Sequence, residues 1–342
     1  MSATPRRRPT LRDVAALAGV SQKTVSRVVN DEPKVSQEAR ERVETAIAQL
    51  SYRPDQRAGS LRRNTTSDTI GVVVSSVANP FAAAVNRAIE NEAATRGVAV
   101  LASSTDDNPE REQPTVEALL RRRVDGLVIT ASLPNQGYLH AEQSFGTPLV
   151  FVDRAPTGIE ADVVMSDHEK GAAVGTRHLV EHGHRRIAYL GDLDSIQSAR
   201  SRRAGFLAEI GRHGIPTGDC HTVMGVHDEA TATAAAISLL DLAEPPTAIF
   251  SSQNLLTVGV IKALRQRGLE RTVALVGFDD LPLADLLAPA LTVVAQNPER
   301  IGALAADLLF DRLDGTDTPT KTHIIPTELI PRGSGEIHPA TA

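Results

Sequence analysis

The chain changes its hydrophobic rhythm near residue 69. Between positions 10 and 50, apolar residues recur at the three- and four-residue spacing of helices. Leu11, Val14, Ala15 and Ala18 line one face, Val25, Val28 and Val29 a second, and Val43, Ile47 and Leu50 a third. Thr10 followed by Asp13 reads as a capping box that opens the first helix. Gly19 falls where that helix must stop and the chain must turn, which favours a residue tolerant of positive φ. Ser21 and Ser36 are ready N-caps for the next two helices, and Glu38 suits the positive first turn of the third. From Thr69 onward, short β-branched runs alternate with amphipathic segments. The runs predict strands over 69–75, 98–104, 126–130, 148–153, 163–167, 186–192, 247–252, 273–279 and 291–296. Helical patterns lie between most of them, for instance over 81–96, 169–182, 199–213 and 255–267. Such alternation over about 270 residues exceeds one small sheet and predicts an α/β body of two doubly wound parallel sheets.

In the second predicted helix the valines point inward. Gln22, Lys23, Ser26 and Arg27 are left outside, long or hydrogen-bonding side chains suited to phosphates and base edges. This is the pattern of a helix-turn-helix whose second helix enters a major groove. A helical hairpin with no such role is the competing reading, and charge argues against it. Through Asn64 the chain carries 13 Lys and Arg against 7 Asp and Glu, a net +6. The remainder carries 23 against 35, a net −12. A basic head on an acidic body implies that only the head seeks a polyanion. After Tyr52, Pro54 can start a further helix, but a segment this short, containing Gly59, should order only when something supports it. Leu61 stands among arginines, out of place in a plain tether but suited to wedging between base pairs in a minor groove.

In doubly wound sheets, ligands bind beyond the carboxyl ends of the strands, and two sheets would face each other across a cleft. Asn79 and Phe81 follow the first predicted strand, Thr130 ends the third, and Asp153 and Arg154 close the fourth. Arg200 opens the helix after the sixth, Gln253 and Asn254 follow the seventh, Phe278 and Asp279 close the eighth, and Gln296 ends the ninth. Carboxylates, an arginine and amides suit vicinal hydroxyls, while Phe81 and Phe278 offer apolar faces to a sugar ring.

The run from Thr10 to Leu61, with the Asn30 loop, the Tyr52-x-Pro54 junction and the Ser60-Leu61 pair, resembles the head and hinge helix of the LacI/GalR family of bacterial transcription regulators. The resemblance implies that Gln22, Lys23 and Arg27 read bases, and that Leu61, with Ala58 beside it, is a minor-groove lever. Thr10, Arg12, Ser21, Thr24, Ser26, Asn30, Tyr52 and Arg62 complete the implied DNA-contacting set. Asp55 and Gly59 depart from the family's usual residues there. The body resembles the family's effector domain, related to periplasmic sugar-binding proteins, through Asn79-Pro80-Phe81, Val152-Asp153-Arg154, Ala204-Gly205-Phe206 and Val276-Gly-Phe-Asp-Asp280. The effector contacts carried over are Phe81, Asp153, Arg200, Asn254 and Asp279. Gln253-Asn254 departs from the family's usual Asn-Asp pair, and His227 stands where many relatives carry an aromatic residue.

The expected organisation is a helix-turn-helix head over 1–53, a hinge over 54–66 and a periplasmic-binding-protein-like body over 67–338. Its N-subdomain would comprise 67–165 plus 297–326, and its C-subdomain 166–296 plus 327–338. No catalytic motif such as G-x-S-x-G, H-E-x-x-H or a P-loop occurs. Cys220 is the only cysteine, which fits a reducing cytoplasm and excludes a disulfide framework. His182 and His184 lack further ligands at metal spacing, and a solvated turn is expected there; no cofactor is called for. With no signal peptide and no apolar run near ~18 residues, neither secretion nor membrane insertion is expected. The reading is a homodimeric repressor of near-palindromic operator DNA, controlled by a small sugar-like effector. A purine-like corepressor is the alternative within the same class, and a sugar-binding transport component or an enzyme of the same body fold are the rivals outside it.

Overall fold

The computed structural model describes residues 9–29, 32–50, 52 and 67–340. It divides after Ser67 into two compact units, a head and a body. The predicted hinge over 54–66, and with it Ala58, Leu61 and Arg62, lies outside the described residues, as does Asn30.

The head consists of α1 (Leu11–Ala18), α2 (Gln22–Val29) and α3 (Gln37–Leu50). The Asp13 carboxylate opens α1 by accepting from Thr10 N at 2.7 Å and Thr10 Oγ1 at 2.6 Å. At the other end Gly19 takes φ +65°, with no atom within 4 Å of where a Cβ would stand. The glycine is there for the backbone turn and not for close packing. Ser21 Oγ accepts from Thr24 N at 3.1 Å and caps α2. The core is small and aliphatic: Val14, Ala15, Ala18, Val25, Val28, Val43 and Ala46, with Ile47, Leu50 and Tyr52 partly packed on it.

The body begins with β1 (Thr69–Val74), α4 (Pro80–Thr95), β2 (Ala99–Ser104), α5 (Pro109–Leu120) and β3 (Leu127–Ile129). Then follow α6 (His140–Ser144), β4 (Leu149–Val152), β5 (Asp162–Ser166), α7 (His168–Glu181), β6 (Ile187–Leu190) and α8 (Gln197–Arg212). The remainder is β7 (His221–Val223), α9 (Glu229–Leu240), β8 (Ala248–Ser251), α10 (Asn254–Arg267), β9 (Ala274–Phe278), β10 (Thr292–Ala295), α11 (Pro298–Leu313), β11 (Thr322–Ile325) and β12 (Glu328–Ile330). These strands build two six-stranded sheets, ordered β11-β5-β4-β3-β1-β2 and β12-β10-β9-β8-β6-β7. Every pairing is parallel except β10 with β12. Apart from Thr69, which opens β1, the central strands are buried, as a sheet covered by helices on both faces requires.

The chain passes between the two lobes three times: between β5 and α7, between β10 and α11, and between β11 and β12. Helix α11 returns to the first lobe, where Ile301, Ala305, Ala306, Leu309 and Phe310 share a core with β1, β4 and β5. Gly302 lets α11 approach α4 closely, since a Cβ there would sit 2.4 Å from the Val85 carbonyl oxygen.

Strands β7, β11 and β12 are absent from the sequence pattern. They are three or four residues long and only partly buried, so they carry no continuous apolar run. His184 departs from the expected solvated turn. It is fully buried, with Nδ1 2.8 Å from Thr247 Oγ1 and Nε2 2.6 Å from the Ile337 carbonyl oxygen, and so ties the C-terminal segment to the second lobe.

Candidate functional site

On the head, α2 divides as its pattern predicts. Val25 and Val28 are buried, Gln22 and Lys23 are exposed, and Thr24, Ser26 and Arg27 are half-buried. Ser21 and Arg12 are exposed beside them, and Thr10 is half-buried. Arg27 Nε lies 3.5 Å from Glu32 Oε2, a surface ion pair that costs little to exchange for a phosphate. Tyr52 donates its backbone N–H to the Ile47 carbonyl at 3.0 Å and rests on the head core.

In the body, the strand ends of both lobes meet in a cleft. Asp153 directly follows β4 and Asp279 directly follows β9, the same position in the two sheets. Both adopt the left-handed region, with φ +66° and +73°. Each donates its backbone N–H at 2.9 Å to the neighbouring strand, Asp153 to Val164 and Asp279 to Val294. The left-handed turn ends the strand while keeping this one ladder bond. Such a conformation costs a non-glycine residue about 1–3 kcal/mol and persists only where the surroundings hold it.

Around Asp153, Arg154 Nε donates to Oδ2 at 3.2 Å, and His168 Nε2 lies 3.4 Å from Oδ1. From the opposite lobe, Ser198 Oγ donates to Oδ2 at 3.4 Å. Burial alone would push this carboxyl up. The hydrogen bond and charge of His168, followed by Arg154 and Arg202, outweigh burial and hold it well below the ordinary carboxylate range. Arg154 in turn reaches Asp107 Oδ1 at 2.6 Å and the Ala131 carbonyl at 3.1 Å. Burial acts to lower its pKa, but Asp107, Asp153 and Asp192 raise it above the usual arginine value.

Around Asp279, Gln296 Nε2 donates to Oδ1 at 2.5 Å and Asn254 N donates to Oδ2 at 3.3 Å. Arg202 lies over the Phe278 ring, its guanidinium carbon 4.0 Å from the centroid, and its Nη1 is 4.0 Å from Asp279 Oδ2. The same Nη1 donates to the Ser252 carbonyl at 2.6 Å. Asn254 and Asn79 exchange amide hydrogen bonds at 2.9 and 3.2 Å across the cleft, and Ala155 N donates to Gln197 Oε1 at 2.8 Å. Phe81 and Thr130 line, with Val74, Val85 and Asp153, a cavity of only about 10 Å³. That is room for one water at most, and every residue lining it belongs to the first lobe. A larger depression of about 760 Å³ runs between β2 and α5, an open groove at the sheet edge whose polar lining is Ser103, Ser104, Glu110, Arg111, Thr115 and Arg122. Asp153, Arg154, Arg202 and Asp279 are buried in the cleft instead.

Arg200 does not join the cleft. Its side chain is exposed, and Nη1 donates to the Asp194 carbonyl at 2.6 Å. The arginine of the cleft is Arg202, 5% exposed, two residues along and therefore about 200° around the helix. The signal was present in the spacing, since Ala199, Arg202, Phe206 and Ile210 form one buried face of α8. Two further participants, His168 and Asp107, were not singled out by sequence. His227 is half-buried, with Nδ1 2.7 Å from Asp192 Oδ1, and Gln253 Nε2 donates to Asp192 Oδ2 at 3.2 Å. Among the described residues no group of three or more His, Cys, Asp or Glu is placed to hold a metal, and no helix is long and apolar enough to cross a membrane.

Comparison with known proteins accounts for both units. Residues 10–55 match the family model of bacterial regulatory proteins, lacI family, and residues 176–335 match a periplasmic binding protein-like domain. The ribose operon repressor of Escherichia coli K12 is 34% identical over 308 residues, covering 89% of this chain and 93% of the relative. The transcriptional regulator GalR of the same organism is 32% identical over 327 residues, with 95% of each chain covered. The crystal structure of the lac repressor dimer bound to operator and an anti-inducer superposes with a TM-score of 0.83 at 30% identity, covering 96% of this chain and 99% of that one. The capped helix-turn-helix, the paired sheets and the sequence relationship agree, and the chain belongs to the LacI family of bacterial transcription regulators.

Proposed function

We propose that this protein is a repressor that binds a near-palindromic operator as a homodimer in the bacterial cytoplasm, its affinity set by a small sugar-like effector in the body cleft. The observation that carries this reading is the division of α2, in which only valines are buried and Gln22 and Lys23 stand free at its start. In this reading Gln22, Lys23 and Arg27 contact base edges, while Thr10, Arg12, Ser21, Thr24 and Ser26 position the helix on phosphates. Asn30, Tyr52, Ala58, Leu61 and Arg62 extend the contact toward the hinge. Asn79, Phe81, Thr130, Asp153, Arg154, His227, Asn254, Phe278, Asp279 and Gln296 form the effector side, with Arg202 in place of Arg200. The effector shifts a population between parted and closed lobes. A differential affinity of ~1–3 kcal/mol changes operator binding by ~5–150-fold.

The test is selection of preferred duplexes from a random pool by the full-length protein, followed by binding in the presence of candidate effectors. Replacing Gln22 and Lys23 together with alanine should change the preferred base pairs, each contact being worth about 1–3 kcal/mol of discrimination. An unaltered sequence preference in that variant would remove α2 from the recognition role.

A further inference from the structure

We propose that the effector is a sugar acid, a polyhydroxylated molecule carrying one carboxylate, and that His227 is the residue that selects it over the corresponding neutral sugar. The inference rests on the cleft being the effector site, and it starts from which hydrogen-bonding capacity there is already used. Asp192 accepts from Leu193 N at 2.7 Å, from His227 Nδ1 and from Gln253 Nε2. Asp279 accepts from Gln296 and Asn254, Asp107 from Arg154, and Asp153 Oδ2 from Arg154 and Ser198. Each carboxylate of the cleft thus has at least one oxygen engaged by the protein itself, and Asp153 Oδ1, which has no hydrogen bond, is buried beside His168. Several donors are uncommitted. Arg154 uses Nε and Nη1, Arg202 uses Nε and Nη1, and His227 uses Nδ1. Among the described residues, Arg154 Nη2, Arg202 Nη2 and His227 Nε2 have no hydrogen-bond partner. Arg154, Arg202, His168 and His227 face Asp107, Asp153, Asp192 and Asp279 here, so the site carries no excess of positive charge. A carboxylate would be held by these uncommitted donors, not by an excess of positive charge.

His227 has a particular part because Asp192 decides what its outer nitrogen does. Asp192 is 6% exposed and fixed by three donors, and an ionised carboxylate can only accept, so Nδ1 carries a proton. Nε2 then donates while the ring is charged and accepts once it is neutral. The Asp192 hydrogen bond raises the pKa of His227 above its ordinary value, against a lowering by burial. The charges facing it are Asp192 and the adjacent Asp228 on its own lobe and Asp107 and Arg154 on the other. Below that raised pKa the ring offers an N–H to an acceptor oxygen, where an aromatic ring at this position could only lie under an apolar face. Above its pKa the same nitrogen presents a lone pair and repels a carboxylate.

The test uses the full-length protein and paired probes, gluconate with glucose, galacturonate with galactose, and ribonate with ribose, by calorimetry between pH 6 and 9. The acid of at least one pair should bind at least ~10-fold more tightly than its neutral partner, and its affinity should fall as pH rises through the His227 titration. His227→Phe should lose that preference. His227→Gln, which keeps a donor near Nε2 but does not titrate, should retain binding with a flat pH profile. Neutral sugars binding as tightly as the acids, or His227→Phe discriminating as the parent does, would overturn the inference. Release of operator by a neutral sugar alone would do so while leaving the repressor reading intact. If no probe of either kind binds or alters operator affinity, both fall together.

Discussion

Asp153 and Asp279 are counterparts: each directly follows the equivalent strand of its own sheet, each holds a left-handed backbone, and the two carboxylates arm opposite sides of one cleft. The left-handed region penalises a Cβ by about 1–2 kcal/mol, which aspartate partly escapes through local hydrogen bonding. Asp279→Gly should therefore be more stable than Asp279→Ala by about 1 kcal/mol in urea denaturation, the reverse of the usual order of these residues. If alanine is the more stable, the backbone there is not left-handed in solution.

Arg202 and Arg200 separate the buried face of α8 from its exposed one. Arg202→Ala removes the donor to the Ser252 carbonyl and the cation near Asp279, both buried. Loss of ~1–3 kcal/mol for each stranded group is expected, together with effector affinity reduced at least ~10-fold. Arg200→Ala, on the exposed face, should stay within about 0.5 kcal/mol of the parent and bind effector normally. Calorimetry on the two variants side by side decides between them, and a larger loss for Arg200 would reverse the assignment.

Two glycines of the same helix should respond with opposite sign. A Cβ on Gly205 would stand 2.0 Å from the Glu169 carbonyl oxygen, where α8 crosses α7. Gly205→Ala should cost about 1–3 kcal/mol or more, because two helix backbones must separate. Gly211 has nothing within 4 Å of its Cβ position, and Gly211→Ala should stabilise by about 0.4–1 kcal/mol. Melting temperatures of both variants report the signs directly.

His184 supplies a pH dependence. The Ile337 carbonyl can only accept, so Nε2 carries a proton, while Nδ1 lies against Thr247 Oγ1, whose hydroxyl also reaches the Arg186 carbonyl at 3.2 Å. Burial lowers its pKa, partly opposed by the Ile337 hydrogen bond and assisted by the charges of His182 and His338. The folded protein thus keeps His184 neutral while the unfolded chain takes up a proton below about pH 6.5. Stability should fall as pH drops from there toward the lowered folded value and level off beyond it. His184→Gln should remove this component, so the stability difference between parent and variant should narrow or reverse on acidification. A difference independent of pH between 7 and 5 would show that His184 does not titrate as described.

The sequence revealed most of what burial dictates. The nine strands read from β-branched runs are those whose residues are largely inaccessible on both faces, or lie next to such strands, and Gly19, Asp13 and Ser21 announced the head through their local chemistry. Less legible were the elements held by neighbours alone. Strand β12 pairs antiparallel with β10 through three residues and has no apolar alternation of its own. In the cleft, position after a strand was a sufficient guide for Asp153 and Asp279, whose type and place coincide. It failed for the arginine, because Arg200, Arg202 and Arg203 are chemically alike and only the helical phase of their neighbours distinguishes them. His168 and Asp107 are brought in by chain segments that no local pattern connects to the site.

The three passages between lobes have a consequence for how the protein is made. The lobe that comes first in the chain is the last to be completed, since α11 and β11 emerge only after nearly the whole of the second lobe has been synthesised. Until then the β4 and β5 side of the first sheet lacks Ile301, Ala305, Leu309 and Phe310 to cover Val150, Val152 and Val164. A nascent chain stalled before residue 298 therefore exposes a bare apolar sheet, and a ribosome-bound fragment ending there should be held by chaperones or degraded. One that reaches residue 330 can close both lobes at nearly the same moment, so the cleft between them forms only after nearly the whole body has been synthesised.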